Sequence, residues 1–217
     1  MIIQKMVGKK TLESYINLLK DMLDPRVVES MARYDQIPLN GTTFDEILQS
    51  FAGYKVDGLS YLEHLVGIFL EGLTDNTGKY AEYRFANFIA KYISYQLVPK
   101  IDFRVKIQGR SGASHEFDVI GFDRRGGISY IAEVKDRKSK ITKVDIFKFF
   151  DELKDICQAK VSPRTAFYGS SSLFTDDAKY SISSNLDKRG YAKIPACGIL
   201  KAKFFEYRVE DYYEIDL

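Results

Sequence analysis

Apolar residues in the N-terminal part of the chain repeat with the spacing of a helix. From residue 11 to about residue 73 they recur at intervals of three and four, which places them on one face of an α-helix. Pro25 can open a second helix at its first turn, and a turn at residues 38–41 precedes a short helix near residues 44–51. The spacing therefore predicts an all-helical N-terminal region, residues 1–78. The apolar faces of its first and last helices are formed by Leu12, Tyr15, Ile16, Leu19, Met22 and Leu23, and by Leu62, Leu65, Val66, Phe69, Leu70 and Leu73.

The pattern changes after a polar turn at residues 75–78. Residues 101–107 alternate between apolar and polar side chains, which is typical of a strand with one buried face. Thr142 stands three residues before Asp145, a spacing typical of a capping box at the start of a helix. This part of the chain predicts an α/β domain over residues 79–217. Its helices are predicted at residues 80–96, from 142 onward and at 175–188, and its strands at 101–107, 117–123, 128–135, 165–169 and within 191–207.

Charge is distributed unevenly, although the net charge of the whole chain is only +2. Residues 1–78 carry 7 Lys and Arg against 11 Asp and Glu, whereas residues 79–217 carry 25 against 19. The basic excess is densest at residues 100–143, where 11 basic residues stand against 6 acidic ones. A local excess of this kind is typical of a surface that binds the phosphate backbone of nucleic acid.

Composition narrows the class of protein further. No apolar run approaches the roughly 20 residues needed to span a bilayer, and the first five residues lack the apolar segment of a signal peptide. Cys157 and Cys197 are the only cysteines, too few for a disulfide framework or a four-cysteine metal site. We therefore expect no membrane partner and an intracellular, cytoplasmic location.

Three charged residues lie in otherwise apolar predicted strands. Glu133 and Lys135 are two residues apart, so they project from the same face of one strand. Asp118 lies on the preceding strand, which a short turn would pair with the first as a hairpin. One explanation is a buried ion pair that only stabilises the sheet. A second explanation is a functional site, and an inward-facing Glu82 on the predicted helix 80–96 supports it. The alternative for Glu82 is a structural role at the start of the helix, as the N3 residue of a cap or as a negative charge near the positive end of the helix dipole.

The order helix with Glu82, strand, Ser/Gly loop at 109–114, strand with Asp118, turn, strand with Glu133-Val134-Lys135 and helix resembles the PD-(D/E)xK nuclease superfamily. The resemblance covers about residues 80–160 and is strongest to archaeal Holliday-junction resolvases and restriction-enzyme-like nucleases. It implies a restriction-endonuclease-like fold, in which helices flank a central mixed β-sheet. Phe117 departs from the family pattern, which often has Pro before the Asp, but this change removes no metal ligand.

The resemblance also implies a chemistry. Mg²⁺, or Mn²⁺ in its place, would be held by Asp118, Glu133, the Val134 carbonyl and Glu82, because hard cations prefer oxygen ligands. Lys135 would orient the attacking water and stabilise the phosphate. The substrate would be DNA, and a twofold homodimer would suit the cutting of both strands. The residues expected to contact DNA are Arg110, Ser111, Ser114, Arg137, Lys138 and Lys140.

Three hypotheses follow from these observations. The first is a metal-dependent DNA endonuclease, possibly specific for junctions or flaps. The second is a non-catalytic nucleic-acid-binding module that keeps the nuclease fold. The third is an ion-pair network without chemistry, with the N-terminal helices serving as a protein-interaction surface. The intact Asp118, Glu133 and Lys135 favour the first.

Overall fold

A computed structural model of the chain describes residues 12–56, 58–94, 96–208 and 211–215. Residue 11, where the predicted helical spacing begins, lies outside the described residues. The chain divides into an N-terminal unit, Met1–Lys91, and a C-terminal unit, Tyr92–Leu217. Along the chain, the two units therefore meet near the end of the predicted helix 80–96, whereas the sequence predicts a domain boundary between residues 78 and 79.

Helices form most of the described N-terminal unit. Asp24 caps the helix that begins at Pro25, and capping boxes at Thr43 and Ser60 open the next two helices. A pair of two-residue strands, which the helical spacing did not predict, lies between those two helices. The elements are α1 (Leu12–Met22), α2 (Pro25–Tyr34), α3 (Phe44–Phe51), β1 (Lys55–Val56), β2 (Leu59–Ser60), α4 (Tyr61–Leu70) and α5 (Lys79–Tyr92).

Helix α5 belongs with the N-terminal unit because its polar side chains bond to the earlier helices. Asn87 donates to the Met22 carbonyl at 3.1 Å and accepts from the Asp24 N–H at 2.8 Å. The buried Arg26 guanidinium donates to the carbonyl of Ala90 at 2.8 Å. The partners in these bonds are more than 60 residues apart in sequence, and local sequence patterns do not specify such contacts.

A six-stranded mixed sheet forms the centre of the C-terminal unit, and its strands lie side by side in chain order. The first three strands are antiparallel to their neighbours, the third, fourth and fifth are parallel to one another, and the sixth is antiparallel to the fifth. This confirms the predicted α/β class with a mixed sheet. The elements are β3 (Lys100–Gln108), β4 (Ser114–Phe122), β5 (Ile128–Lys135), α6 (Lys143–Gln158), β6 (Thr165–Ser170), α7 (Asp176–Asn185), β7 (Lys201–Arg208) and β8 (Asp211–Glu214).

The core of this unit lies between the sheet and α6 with α7. Helix α6 connects β5 to β6, which is the crossover that parallel neighbours require. Phe149 of α6 packs edge-on against Tyr168 of β6 and Phe204 of β7, with ring centroids 5.2 and 6.1 Å apart. This aromatic cluster fixes α6 over the middle of the sheet, beside the strand that carries Glu133.

A disulfide joins Cys157, at the end of α6, to Cys197, in a 3₁₀ turn at Pro195–Cys197. The two Cα atoms are 4.9 Å apart. The cysteine count predicted no disulfide framework, and the structure adds this single bridge. The expected intracellular location relied partly on cysteine usage and stays a prediction. Among the described residues no helix is both long and apolar enough to cross a bilayer.

Candidate active site

The candidate site lies where β4 and β5 separate. Their pairing ends at Val119 opposite Ala132, so Asp118 and Glu133 are the first residues beyond the ladder. On the other side of β4, Arg104 has a φ of 51°, which kinks β3 at the same level. The divergence leaves space between two strands that are otherwise hydrogen-bonded.

The carboxylate of Asp118 enters this space. Its Oδ2 accepts a hydrogen bond of 2.6 Å from the backbone N–H of Val134, which β4 no longer pairs. In an extended strand the N–H and C=O of one residue point to the same side. The Val134 carbonyl therefore opens onto the space that holds the Asp118 carboxylate.

Glu133 and Lys135 form a buried pair at the same place. Glu133 Oε1 accepts a hydrogen bond from Lys135 Nζ, and Glu133 as a whole is only 7% exposed. Its other oxygen, Oε2, is buried and has no hydrogen-bond partner among the described residues. Burial raises the pKa of Glu133, against the opposing effect of the Lys135 ammonium.

The pKa of Lys135 is also raised. Burial alone would lower this pKa, but the negative charges of Glu133, Asp118 and Glu152 outweigh that effect. Lys135 therefore stays an ammonium at neutral pH. It can donate hydrogen bonds and stabilise negative charge, whereas it holds no free lone pair with which to take a proton from water.

Tyr168 is a site residue that the sequence did not indicate. In the parallel pairing of β5 with β6 it stands beside Glu133. Its hydroxyl is buried without a hydrogen-bond partner among the described residues, and burial together with the charges of Asp145 and Glu133 raises its pKa. The strand 165–169 was predicted, but its register with β5 could not be read from the sequence.

Glu82 is buried in the first turn of α5 and belongs to the N-terminal unit. Asp118, Glu133 and Lys135 all belong to the C-terminal unit, and the structure brings these three together. The predicted role of Glu82 in holding the cation stays a prediction.

The Ser/Gly loop before β4 is fastened to α6 by Asp155. The Asp155 carboxylate accepts from the Ser111 N–H at 2.9 Å and from the Ser111 hydroxyl at 2.6 Å, and it contacts His115 Nε2 at 2.8 Å. A Cβ at Gly109 would overlap this carboxylate, so any larger residue there would displace the Asp155 side chain. Ser111, predicted to contact phosphate, thus has its hydroxyl engaged within the protein. Asp155 lies between the serine and the histidine, so the three do not form a nucleophile activated by a histidine.

These hydrogen bonds lower the pKa of Asp155 to about 2, with the Ser111 hydroxyl as the largest cause. A carboxyl whose pKa is lower in the folded state than its ordinary value of 3.8 stabilises the loop above pH 3.8, and the contribution is lost as the pH falls towards 2. We expect NMR of the Asp155 carboxyl carbon to titrate with a midpoint near 2, and Ser111→Ala to move that midpoint upward. A wild-type midpoint near 3.8 would show that the loop is not fastened in solution.

The predicted DNA-contacting residues fall into two groups along α6. Lys138 and Lys140 are exposed in the loop between β5 and α6, and Arg137 there donates to Asp145 and to the Lys140 carbonyl at 3.3 Å. Arg110, Ser111 and Ser114 are exposed near Asp155, twelve residues after the helix begins. At 1.5 Å per residue the two groups are separated by about 18 Å along the helix. Arg137 is thus held by an ion pair, whereas Lys138 and Lys140 extend from the strand end that carries the site.

Among the described residues no three His, Cys, Asp or Glu side chains are arranged so that they alone could hold a metal ion. This does not disagree with Mg²⁺ chemistry, because Mg²⁺ is commonly bound by one or two carboxylates together with waters and substrate phosphates. The buried, unpartnered Glu133 Oε2, the second oxygen of Asp118 and the Val134 carbonyl are oxygen donors of the type this ion prefers.

No family model matches the chain, and no match is found among curated proteins. A solved protein of unknown function, AF1548, is 16% identical with a TM-score of 0.38 over 58% of this chain and 57% of its own. A repair endonuclease from Pyrococcus abyssi is 17% identical with a TM-score of 0.35 over 62% of this chain and 48% of its own. The chain spans about half the length of these structures, and similarities this low carry no argument about function.

Proposed function

We propose that the C-terminal unit is a divalent-cation-dependent nuclease that hydrolyses phosphodiester bonds in DNA. The observation that carries the proposal is the meeting of Asp118, Glu133 and Lys135 where β4 and β5 separate. Two carboxylates and an ammonium that are largely removed from water cost desolvation free energy, which a purely structural role does not explain. They match the groups that phosphodiester hydrolysis requires, and they match the PD-(D/E)xK resemblance of the sequence.

Mg²⁺ is the proposed cation, and Mn²⁺ would substitute for it. Asp118, Glu133 and the Val134 carbonyl would hold it, and the part that the resemblance assigns to Glu82 stays a prediction. The bound cation would lower the pKa of a water and neutralise charge that develops on the phosphate.

The residues of the chain have separate tasks in this proposal. Lys135, held protonated by the neighbouring carboxylates, donates to a phosphate oxygen and stabilises the negative charge of the transition state. Asp118 and the Val134 N–H fix each other, so the carboxylate is oriented before substrate binds. Lys138 and Lys140 attract the phosphate backbone beside the site. We further propose a junction or flap as the DNA substrate and a homodimer as the active form.

The test is cleavage of linear, single-stranded, flap and four-way-junction DNA with Mg²⁺, Mn²⁺ or EDTA. Cation-dependent cleavage by the wild type is expected, and Asp118→Asn and Lys135→Ala should abolish it while DNA binding persists. Asp118→Asn keeps the shape of the side chain and removes the charge that binds the cation. Asp136→Asn is the matched control, since Asp136 is an exposed carboxylate next to Lys135 and should leave cleavage unchanged.

Cleavage that persists in Asp118→Asn would come from another enzyme in the preparation and would contradict the proposal. Tight DNA binding by the wild type without cleavage of any substrate would instead identify the C-terminal unit as a non-catalytic nucleic-acid-binding module.

A further inference from the structure

A further carboxylate, Glu152 of α6, lies beside the site without a place in the chemistry described above. Its side chain is 16% exposed. Two basic side chains lie near it, with Lys148 Nζ at 3.7 Å and His115 Nδ1 at 3.8 Å, both beyond normal hydrogen-bonding distance. Glu152 is thus a largely covered carboxylate that is only loosely neutralised.

The packing of α6 places Glu152 near Glu133. Glu133 stands beside Tyr168 in the pairing of β5 with β6, and the Tyr168 ring packs against Phe149 of α6. Glu152 lies one helical turn after Phe149 on the same side of the helix. Its charge acts on both members of the Glu133–Lys135 pair.

Two ion pairs consequently stand next to each other, Lys135 with Glu133 and Lys148 with Glu152. The two lysines account for one oxygen of each carboxylate, and Glu133 Oε2 remains buried without a partner among the described residues. The two carboxylates, largely shielded from water, repel each other, and the unpaired buried oxygen of Glu133 adds a desolvation cost. A cation between the two carboxylates would relieve both costs.

We propose that Glu152 is a ligand of a divalent cation, which it binds together with Glu133. This inference rests on the proposed function, and it adds to the carboxylates of the C-terminal unit one from α6 that the family resemblance did not provide. Two carboxylates leave positions on Mg²⁺ for waters and for oxygens of the substrate phosphate, which is the ligand set this ion commonly takes. Lys148 competes with the cation for Glu152.

The experiment is a titration of the full chain with Mn²⁺, in which the EPR signal of free Mn²⁺ gives the number of bound ions and their affinity. The variants are Glu152→Gln, Lys148→Met and, as the matched control, Asp151→Asn. Asp151 is the exposed neighbour of Glu152 on the same helix. Glu152→Asp is included so that one variant keeps the charge, and thermal unfolding of each variant is recorded.

Glu152→Gln is expected to weaken Mn²⁺ binding at least about ten-fold, since even residues that only support metal ligands contribute about 10–100-fold. Lys148→Met is expected to tighten binding, because it removes the competing ammonium. Asp151→Asn should bind Mn²⁺ like the wild type, and Glu152→Asp should lie between the wild type and Glu152→Gln. A Glu152 that acts only through its charge would leave Glu152→Asp binding Mn²⁺ like the wild type, whereas a ligand shortened by one methylene group binds the cation more weakly.

Equal Mn²⁺ affinity in the wild type and Glu152→Gln would overturn the inference, and so would equal weakening by Glu152→Gln and Lys148→Met. If either occurs while Asp118→Asn still abolishes cleavage, the proposed nuclease stands and only the role of Glu152 falls. A wild type that binds no Mn²⁺ would overturn both. Should Glu152→Gln fail to fold, the weakening expected of Glu152→Asp decides the question.

Discussion

Replacing both Glu133 and Lys135 by Met is expected to abolish cleavage and to leave the protein at least as stable as the wild type. The two residues form an ion pair in which Glu133 is nearly fully buried and one of its oxygens has no partner. Exchanging both members of a buried pair for hydrophobic residues of similar size is often neutral or stabilises a protein by about 1–4 kcal/mol. The rate should fall at least about 10³-fold, because a cation and an ammonium each contribute several kcal/mol to this chemistry.

The single variant Lys135→Met separates this explanation from a purely structural one. It leaves the buried Glu133 carboxylate without its counter-charge, which is expected to lower the free energy of unfolding by about 3–5 kcal/mol. Urea unfolding of the single and double variants, alongside cleavage rates in Mn²⁺, provides the comparison. A double variant less stable than Lys135→Met would mean that the pair is kept for stability, and the argument from its cost would be wrong.

Local sequence patterns could predict the part of the site that lies on one hairpin. Period-2 alternation placed Glu133 and Lys135 on one face of a strand, and the strand was found at Ile128–Lys135, the predicted bounds. The position of Asp118 near this pair also follows from local sequence, because a short turn pairs its strand with the strand that carries Glu133. Each of these inferences spans fewer than 20 residues of chain.

The rest of the site depends on contacts that no local pattern specifies. Tyr168 reaches Glu133 through the register of a parallel strand pair, and Glu152 reaches it through the seating of α6 on an aromatic cluster. Asp155 was predicted only as part of a helix, yet it binds a loop 44 residues earlier. The sequence therefore predicts phosphate contacts for the Ser/Gly loop, whereas the Ser111 N–H and hydroxyl donate to Asp155 within the protein.

The disulfide between Cys157 and Cys197 is expected to contribute about 4 kcal/mol to stability. It closes a loop with a sequence separation of 40 residues, and the chain-entropy model assigns about 3–5 kcal/mol to loops of 15 to 100 residues. The bridge joins the end of α6 to the turn before β7, so it adds a covalent link to the packing of α6 on the sheet. Cys157→Ser with Cys197→Ser should therefore lower the urea midpoint substantially.

Reduced wild type is the matched control for that double variant, since it lacks the bond but keeps both side-chain volumes. Its urea midpoint should fall about as far as that of the variant, because the loop closure is the larger part of the effect. Thiol titration in denaturant should find no free thiol in the untreated protein and two after reduction. Two thiols in the untreated protein, or a reduced form as stable as the oxidised one, would show that packing around Phe149 is sufficient to hold α6. In that case the cation site proposed between α6 and β5 would not depend on the oxidation state of the chain.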